Sequence, residues 1–497
     1  MKKKQLHLTG FIMNPVKCFI IFFFVSFPSF VISQTNTFDQ YRKQQIKAFN
    51  EYAQQKTRDF EKYRNKRNIE FSKYLGEKWE KVEIKEGEEL PIPKPLTLPY
   101  IDPNADPIRI EVPQTMPLPK APKSIELTVK PFKKSKDVFD FDFYGLQVSV
   151  RVNEVYAFQM KHVDEKSVQA YWTKFSSFDT QDLLDDCVRN KKQLNLSDWA
   201  YVQFINKLTA TYYGGKNRNE AVFLQGYLLT QSGYDVRFIS EGDQLILGAA
   251  IDNPVFGISY IPINNRNYYL ISYTGKGVSF YTFRECFSEE SQALSMVLNH
   301  EMEFFPFKES EPVNYFIEAQ EEPIIQTVVN LNLIEFYNDY PQCEWNVYAR
   351  CPMSISLQKR VLPSLFKLIQ NKTKRESANI LIDFVQKTFK YSTDNEQFGY
   401  EKPFFIDETF YYPASDCEDR AVLFAYLVRE LVGLDVVLLH YPNHLCTAVL
   451  FDEEIEGDAL VIGGKRYLIC DPTFVGASIG YVHNDYKSVK PQVYTID

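Results

Sequence analysis

The chain has 497 residues, too many for one hydrophobic core, so two or three domains are expected. Its 45% hydrophobic and 24% charged content is that of a globular protein, with Tyr (32) and Phe (40) unusually abundant. The net charge of −8 excludes a broad basic face for nucleic acid and argues against polyphosphate partners.

The first 33 residues carry four lysines and no acid, so the remainder is nearer −12. Lys2, Lys3, Lys4 and Lys17 precede the apolar run Phe19-Ile20-Ile21-Phe22-Phe23-Phe24-Val25, which continues to about Ile32. Val31-Ile32-Ser33 before Gln34 has the form of a small-residue cleavage site. Met13 offers a second start that would shorten the charged region. At about 14 residues, with Pro28 inside, the run falls short of the ~20 needed for a helical span. Residues 1–33 therefore read as a signal peptide rather than an anchor, and the mature chain as exported without a transmembrane anchor. The expected location is the periplasm, cell surface or exterior of a bacterial cell. Past the signal lie Cys187, Cys286, Cys343, Cys351, Cys417, Cys446 and Cys470, an odd count that leaves at least one thiol unpaired within the chain. Cys343 and Cys351 flank Glu344-Trp345-Asn346-Val347-Tyr348, which alternates like a strand, and a local disulfide is one expectation there.

Residues 34–86 hold an eleven-residue repeat. Phe38, Phe49, Phe60 and Phe71 recur at that spacing, and so do Tyr41, Tyr52, Tyr63 and Tyr74. Eleven residues make three helical turns, so both aromatics stay on one face of a nearly straight helix over 38–81, roughly 66 Å long. Long polar residues (Gln45, Lys56, Arg67, Lys78) narrow that stripe. It reads as a spacer helix, as a self-associating coil, or as a docking face for a cell-envelope component. Residues 87–135 are a Pro-rich linker, with ten prolines between Pro91 and Pro122.

From 136 onward the pattern is α+β, and it runs through its order twice, over 136–305 and 320–497. In the first pass, helices are expected at 164–190, 198–211 and 219–231. In the second, strand-like alternation at 324–337 and 345–350 precedes helices at 356–371, 375–390 and 416–431, and strands run to 471. Glu220-Ala221-Val222-Phe223-Leu224 aligns with Arg420-Ala421-Val422-Leu423-Phe424, and Gly233-Tyr234-Asp235-Val236 with Gly433-Leu434-Asp435-Val436. Six identities in the 35 pairs starting at 217 and 417 are few, but the differences are chemical. Asn217 stands against Cys417, Gln244 against His444, and Tyr273 against Asp471.

Ser415-x-x-Glu418 has the form of a capping box, which would place Cys417 second in a helix, at the positive end of its dipole. That setting lowers a thiol's pKa, although Asp416, Glu418 and Asp419 would oppose it. His444 begins an alternating strand, and Asp471 ends the strand introduced by Gly463-Gly464. Each residue alone has a structural reading as a buried thiol, a core imidazole or a turn carboxylate. Together they supply nucleophile, base and orienter in order. Cys417, His440, His444, Cys446 and Cys470 lack the paired spacing of a structural zinc site, so neither a metal nor a cofactor is expected.

Asp416-Cys417-Glu418-Asp419-Arg420, Asn443-His444 and Cys470-Asp471-Pro472-Thr473 resemble the catalytic segments of the transglutaminase-like superfamily, whose core is similar to papain-like cysteine peptidases. The resemblance implies two tandem transglutaminase-like modules, the second intact over 320–497 and the first degenerate. It also implies Cys417 as nucleophile, His444 as base and Asp471 as its orienter. The family's upstream oxyanion donor has no unambiguous match here, and Tyr411, Tyr412 and Gln397 are its candidates. Asp416 stands where relatives often carry Gly-x or Gly-Asp.

The expected function is thus an exported, cysteine-dependent acyl-transfer enzyme acting on peptide or protein amides through a thioester, with water as acceptor. The alternative is a non-catalytic binding or scaffold protein of the cell envelope built on the same modules.

Overall fold

A computed structural model describes residues 62–90 and 137–496, without 178–179, 217, 272, 274, 276, 278, 288–289 and 317–321, together with 47, 48, 51, 52, 55 and 59. The expected signal peptide and the Pro-rich linker lie outside the described residues. The chain divides into two compact units, 1–65 and 66–497. In the first, every described residue is helical, and Tyr52 and Tyr63 are exposed.

Helix α1, described over 62–75, ends earlier than the repeat predicts. Gly76 breaks it where Gln169 presses on the backbone: a Cβ at Gly76 would meet Gln169 Oε1 at 2.2 Å. The chain then extends into strand β1 (Glu80–Val82) rather than continuing as helix to 81. The last Phe of the repeat is core, not stripe. Phe71 is buried with its ring 5.0 Å from Trp172, 5.5 Å from Phe283 and 5.2 Å from Phe287, whereas Tyr74 faces solvent.

A hairpin of β2 (Val138–Phe143) and β3 (Leu146–Arg151) leads into helices α2 (Glu165–Ser177), α3 (Gln181–Gln193), α4 (Asp198–Tyr213) and α5 (Asn219–Gln231). The single helix expected at 164–190 is thus two. Strands β4 (Val236–Glu241), β5 (Gln244–Ala250), β6 (Tyr260–Ile263), β7 (Arg266–Ile271) and β8 (Phe280–Thr282) follow, in the antiparallel order β1-β8-β4-β5-β7-β6.

A second hairpin, β9 (Val313–Tyr315) with β10 (Ile325–Thr327), opens the other half. The expected strand 324–337 is strand only at its start. Asn330 accepts the Asn332 N–H (3.1 Å) and caps helix α6 (Leu331–Asn338), which buries Leu333, Ile334, Phe336 and Tyr337 at helical spacing. Residues 345–350, read as alternating strand, form helix α7 (Trp345–Arg350) with Trp345, Val347, Tyr348 and Ala349 buried. The disulfide between Cys343 and Cys351 is absent: both are free, and burial pushes both thiols up. Cys343 Sγ donates to Pro341 O, and Cys351 Sγ lies 3.7 Å from the Tyr337 hydroxyl.

Helices α8 (Ile355–Ile369) and α9 (Lys374–Thr388) precede a short β11 (Lys390–Tyr391), α10 (Asp394–Gln397), α11 (Ile406–Thr409) and β12 (Ala414–Ser415). The long helix α12 (Cys417–Val432) comes next, buried on all sides from Cys417 to Val428 and stopped by Gly433 in the left-handed region (φ 70°). Strands β13 (Asp435–Tyr441), β14 (His444–Leu450), β15 (Ala459–Ile462), β16 (Lys465–Cys470) and β17 (Gln492–Thr495) close the chain. Both Gly463 and Gly464 take positive φ in the β15–β16 turn, as two-residue hairpins demand.

The fold is α+β. The second sheet has the order β17-β13-β14-β16-β15, which repeats β8-β4-β5-β7-β6 strand for strand. The two halves do not form separate compact units, because 66–497 is one. Trp199 Nε1 donates to Asp339 O (3.3 Å) and the Tyr144 hydroxyl to Asp339 Oδ2 (2.8 Å), which ties α4 and the first hairpin to the end of α6.

Candidate functional site

The α12 start differs by one residue from the expected cap. Ser415 pairs in parallel with Tyr391 as the last residue of β12, so its backbone is extended and it cannot open the helix. Asp416 is the N-cap, its N–H reaching Asp419 Oδ2 (3.2 Å), and Cys417 is the first helical residue rather than the second. The first N–H groups of α12, including that of Cys417, lack intrahelical acceptors.

His444 opens β14 and Asp471 follows β16, and the β14–β16 pairing sets Thr447 opposite Cys470. This register brings His444 Nε2 to 2.7 Å from Asp471 Oδ2, while Asp471 Oδ1 accepts the Thr473 N–H at 3.0 Å. Cys417 lies near enough to His444 to act on its ring, while the sulfur's own hydrogen-bond contact is to Glu418. Burial alone would lower the imidazole, but the Asp471 carboxylate and Cys417 reverse this and push it up to about 10, so the ring carries its proton at neutral pH. The three residues are closed off: Cys417 is 1% exposed, His444 2% and Asp471 0%. Tyr486 stacks on the His444 ring at 5.1 Å, and Phe474 lies tilted against the same ring at 5.5 Å.

Around the sulfur lies a carboxyl cluster that motif reading noticed only in part. Cys417 Sγ contacts Glu418 Oε2 at 3.1 Å. Asp394 and Glu401 join Asp416, Glu418 and Asp419 from the preceding segment. Burial, with Asp416 nearby, pushes Asp394 up to about 9; burial pushes Glu401 up to about 7 and raises Asp416, Glu418 and Asp419. Asp394 Oδ1, Glu401 Oε1, Asp416 Oδ1 and Glu418 Oε1 are buried without a hydrogen-bond partner. One oxygen from each of Asp394, Asp416 and Asp419 lies within 4.8 Å of the others, and the same holds for Asp394, Glu401 and Glu418. Both sets are all-oxygen, the chemistry of hard divalent cations; protonation is the other way to relieve their repulsion. His444, Cys446 and Asp471 form a third, mixed set. The only buried positive charge on this helix start is Arg420, which binds Phe389 O (2.5 Å), Thr473 O (3.4 Å) and Ser415 Oγ (3.4 Å). Burial pulls its guanidinium down to about 10.

The three oxyanion candidates are placed elsewhere. Tyr412 donates its hydroxyl to Asn338 Oδ1 (3.1 Å), Gln397 gives its amide to Ala414 O (3.3 Å), and Tyr411 is 38% exposed. Among the described residues, none of the three is hydrogen-bonded to Cys417, His444 or Asp471.

In the first half, position 217 lies outside the described residues. Gln244 opens β5 as His444 opens β14, but it is exposed. Leu247 pairs with Ile271 where Thr447 pairs with Cys470, so position 272, also outside the described residues, corresponds to Asp471. The alignment with Tyr273 is one residue out of register; Tyr273 instead donates its hydroxyl to Glu241 Oε2 (2.5 Å).

Neither family models, nor curated proteins, nor solved structures yield a match to this chain. Among the described residues, no helix is long and apolar enough to cross a membrane.

Proposed function

We propose that the second half, 320–497, is a cysteine-dependent acyl-transfer site of the transglutaminase-like kind, in an exported protein that hydrolyses peptide or protein amides. One observation carries this reading: His444 is hydrogen-bonded to the Asp471 carboxylate at 2.7 Å, and the Cys417 sulfur at the mouth of α12 lies near enough to act on the same ring. In the first step the Cys417 sulfur attacks the amide carbon and the C=O pair moves onto oxygen. The C–N bond then breaks as His444 hands its proton to the departing amine. Water, deprotonated by His444, attacks the resulting thioester and restores the thiol. The first half supplies no such set at its equivalent positions and acts as a binding or supporting module.

A thiol-directed alkylating probe tests the reading. It should label Cys417 ahead of the other cysteines near pH 7, and His444→Ala should slow that labelling by about 10-fold or more. Equal rates for the two proteins would defeat it.

The burial of Cys417 and His444 favours the second reading, a scaffold of the cell envelope without chemistry. That reading expects Cys417 to resist alkylation in the folded chain and to react only on denaturation.

A further inference from the structure

The geometry points to Tyr391 as a catalytic residue that none of the motifs marks: its hydroxyl donates a hydrogen bond to the oxyanion of the tetrahedral adduct on Cys417. This rests on the proposed acyl-transfer reading.

Tyr391 closes β11, and its pairing partner in β12 is Ser415, two residues before Cys417. The parallel pair thus delivers its side chain to the mouth of α12. The Arg420 guanidinium sits 5.2 Å from the ring centroid and, one turn along the helix from Cys417, holds the ring in place. The charged groups that bear on the phenol are Cys417, Asp416, Glu418 and Arg420. Buried tyrosine hydroxyls ordinarily find a partner, yet Tyr391 Oη is buried and has none. An unmet donor beside a nucleophile is what an oxyanion site looks like before the oxyanion exists, since the donor must aim at where charge develops rather than at a resting partner.

The electron count is simple. As the S–C bond forms, the carbonyl pair becomes an alkoxide lone pair, and the hydroxyl stabilises that charge without giving up its proton. Burial, first, and the neighbouring acids push the phenol far above its ordinary range, so it stays protonated through the cycle. The Cys417 backbone N–H, free of an intrahelical acceptor, is the natural second donor. Of the other candidates, Gln397 is committed to Ala414 O and Tyr412 to Asn338, and Tyr411 is 38% exposed.

The test separates two reactions of one thiol in the full chain. Iodoacetamide alkylates sulfur by displacement and develops no oxyanion; p-nitrophenyl acetate acylates it through one. Tyr391→Phe should slow acylation, read as the nitrophenolate burst, by 10²–10³-fold while alkylation stays within about 2-fold of the parent. Acylation unchanged, or acylation and alkylation falling together, overturns the assignment. A parent protein that reacts with neither probe fails the acyl-transfer reading itself, a separate outcome. Should Tyr391→Phe not fold, 3-fluorotyrosine placed at 391 keeps the shape and alters the donor. Acylation should then shift by about 2-fold or more while alkylation does not, and no shift overturns the proposal.

Discussion

Burial and charge pull His444 in opposite directions. A fully buried imidazole prefers to be neutral, and only the Asp471 carboxylate at 2.7 Å, aided by Cys417, reverses that preference and takes it up to about 10. Asp471→Asn keeps the shape and removes the charge. It should drop His444 to or below the ordinary imidazole value, so that at pH 7.5 the ring is mostly neutral. In NMR, the ring carbons should titrate below about pH 6.5 instead of near 10, and acyl transfer should fall by on the order of 10²–10⁴-fold, as loss of an orienting acid does elsewhere. An unchanged titration would mean that the carboxylate is not the source of the shift.

At the scale of elements, a buried acid ties α11 to the start of α8. Asp407, in α11, is completely buried and takes the Ser354 N–H at 3.0 Å as well as the Ser354 hydroxyl. Burial nonetheless pushes it up to about 7, with Glu303 and Glu408 adding to the rise. A raised acid binds its proton in the folded chain at a pH where the unfolded chain has lost it, so its contribution to stability is full below about pH 4 and drains away as pH climbs to 7. Asp407→Asn removes that dependence. Its stability relative to the parent should rise between pH 4.5 and 7.5 by about 3 kcal/mol, read from urea midpoints at the two pH values. A pH-independent gap would show that Asp407 is not the titrating group. This layer was hidden from motif reading for a physical reason. Helix α12, its stop at Gly433, the β14 start at His444 and the Gly463-Gly464 hairpin are local signals of capping, period and turn geometry, and each is legible. Six- and eight-residue apolar runs such as 345–350 and 331–338 hold too few turns to separate period 2 from 3.6, and both proved helical. Asp394 and Glu401 meet the acids at the start of α12, and Tyr391 pairs with Ser415, through short segments that leave no periodic trace.

At the scale of the molecule, the two sheets repeat one strand order, yet the halves do not stand apart. Trp199 of α4 gives its indole N–H to Asp339 O and sets its ring 6.1 Å from Tyr340, while Tyr144 reaches the Asp339 carboxylate. Such contacts, continuous with the core of 66–497, should make the halves fold as one cooperative body although only the second carries the candidate site. The consequence can be measured from both ends. Trp199→Ala removes a buried indole from the first half and should cost about 3–5 kcal/mol. If the body is cooperative, the far-ultraviolet melt and the temperature at which Cys417 becomes freely alkylated fall together, because opening α12 needs the whole core to open. If the melt becomes biphasic while the Cys417 onset stays put, the halves are independent domains. The first half would then be a neighbour of the site rather than part of the structure that keeps its sulfur sealed.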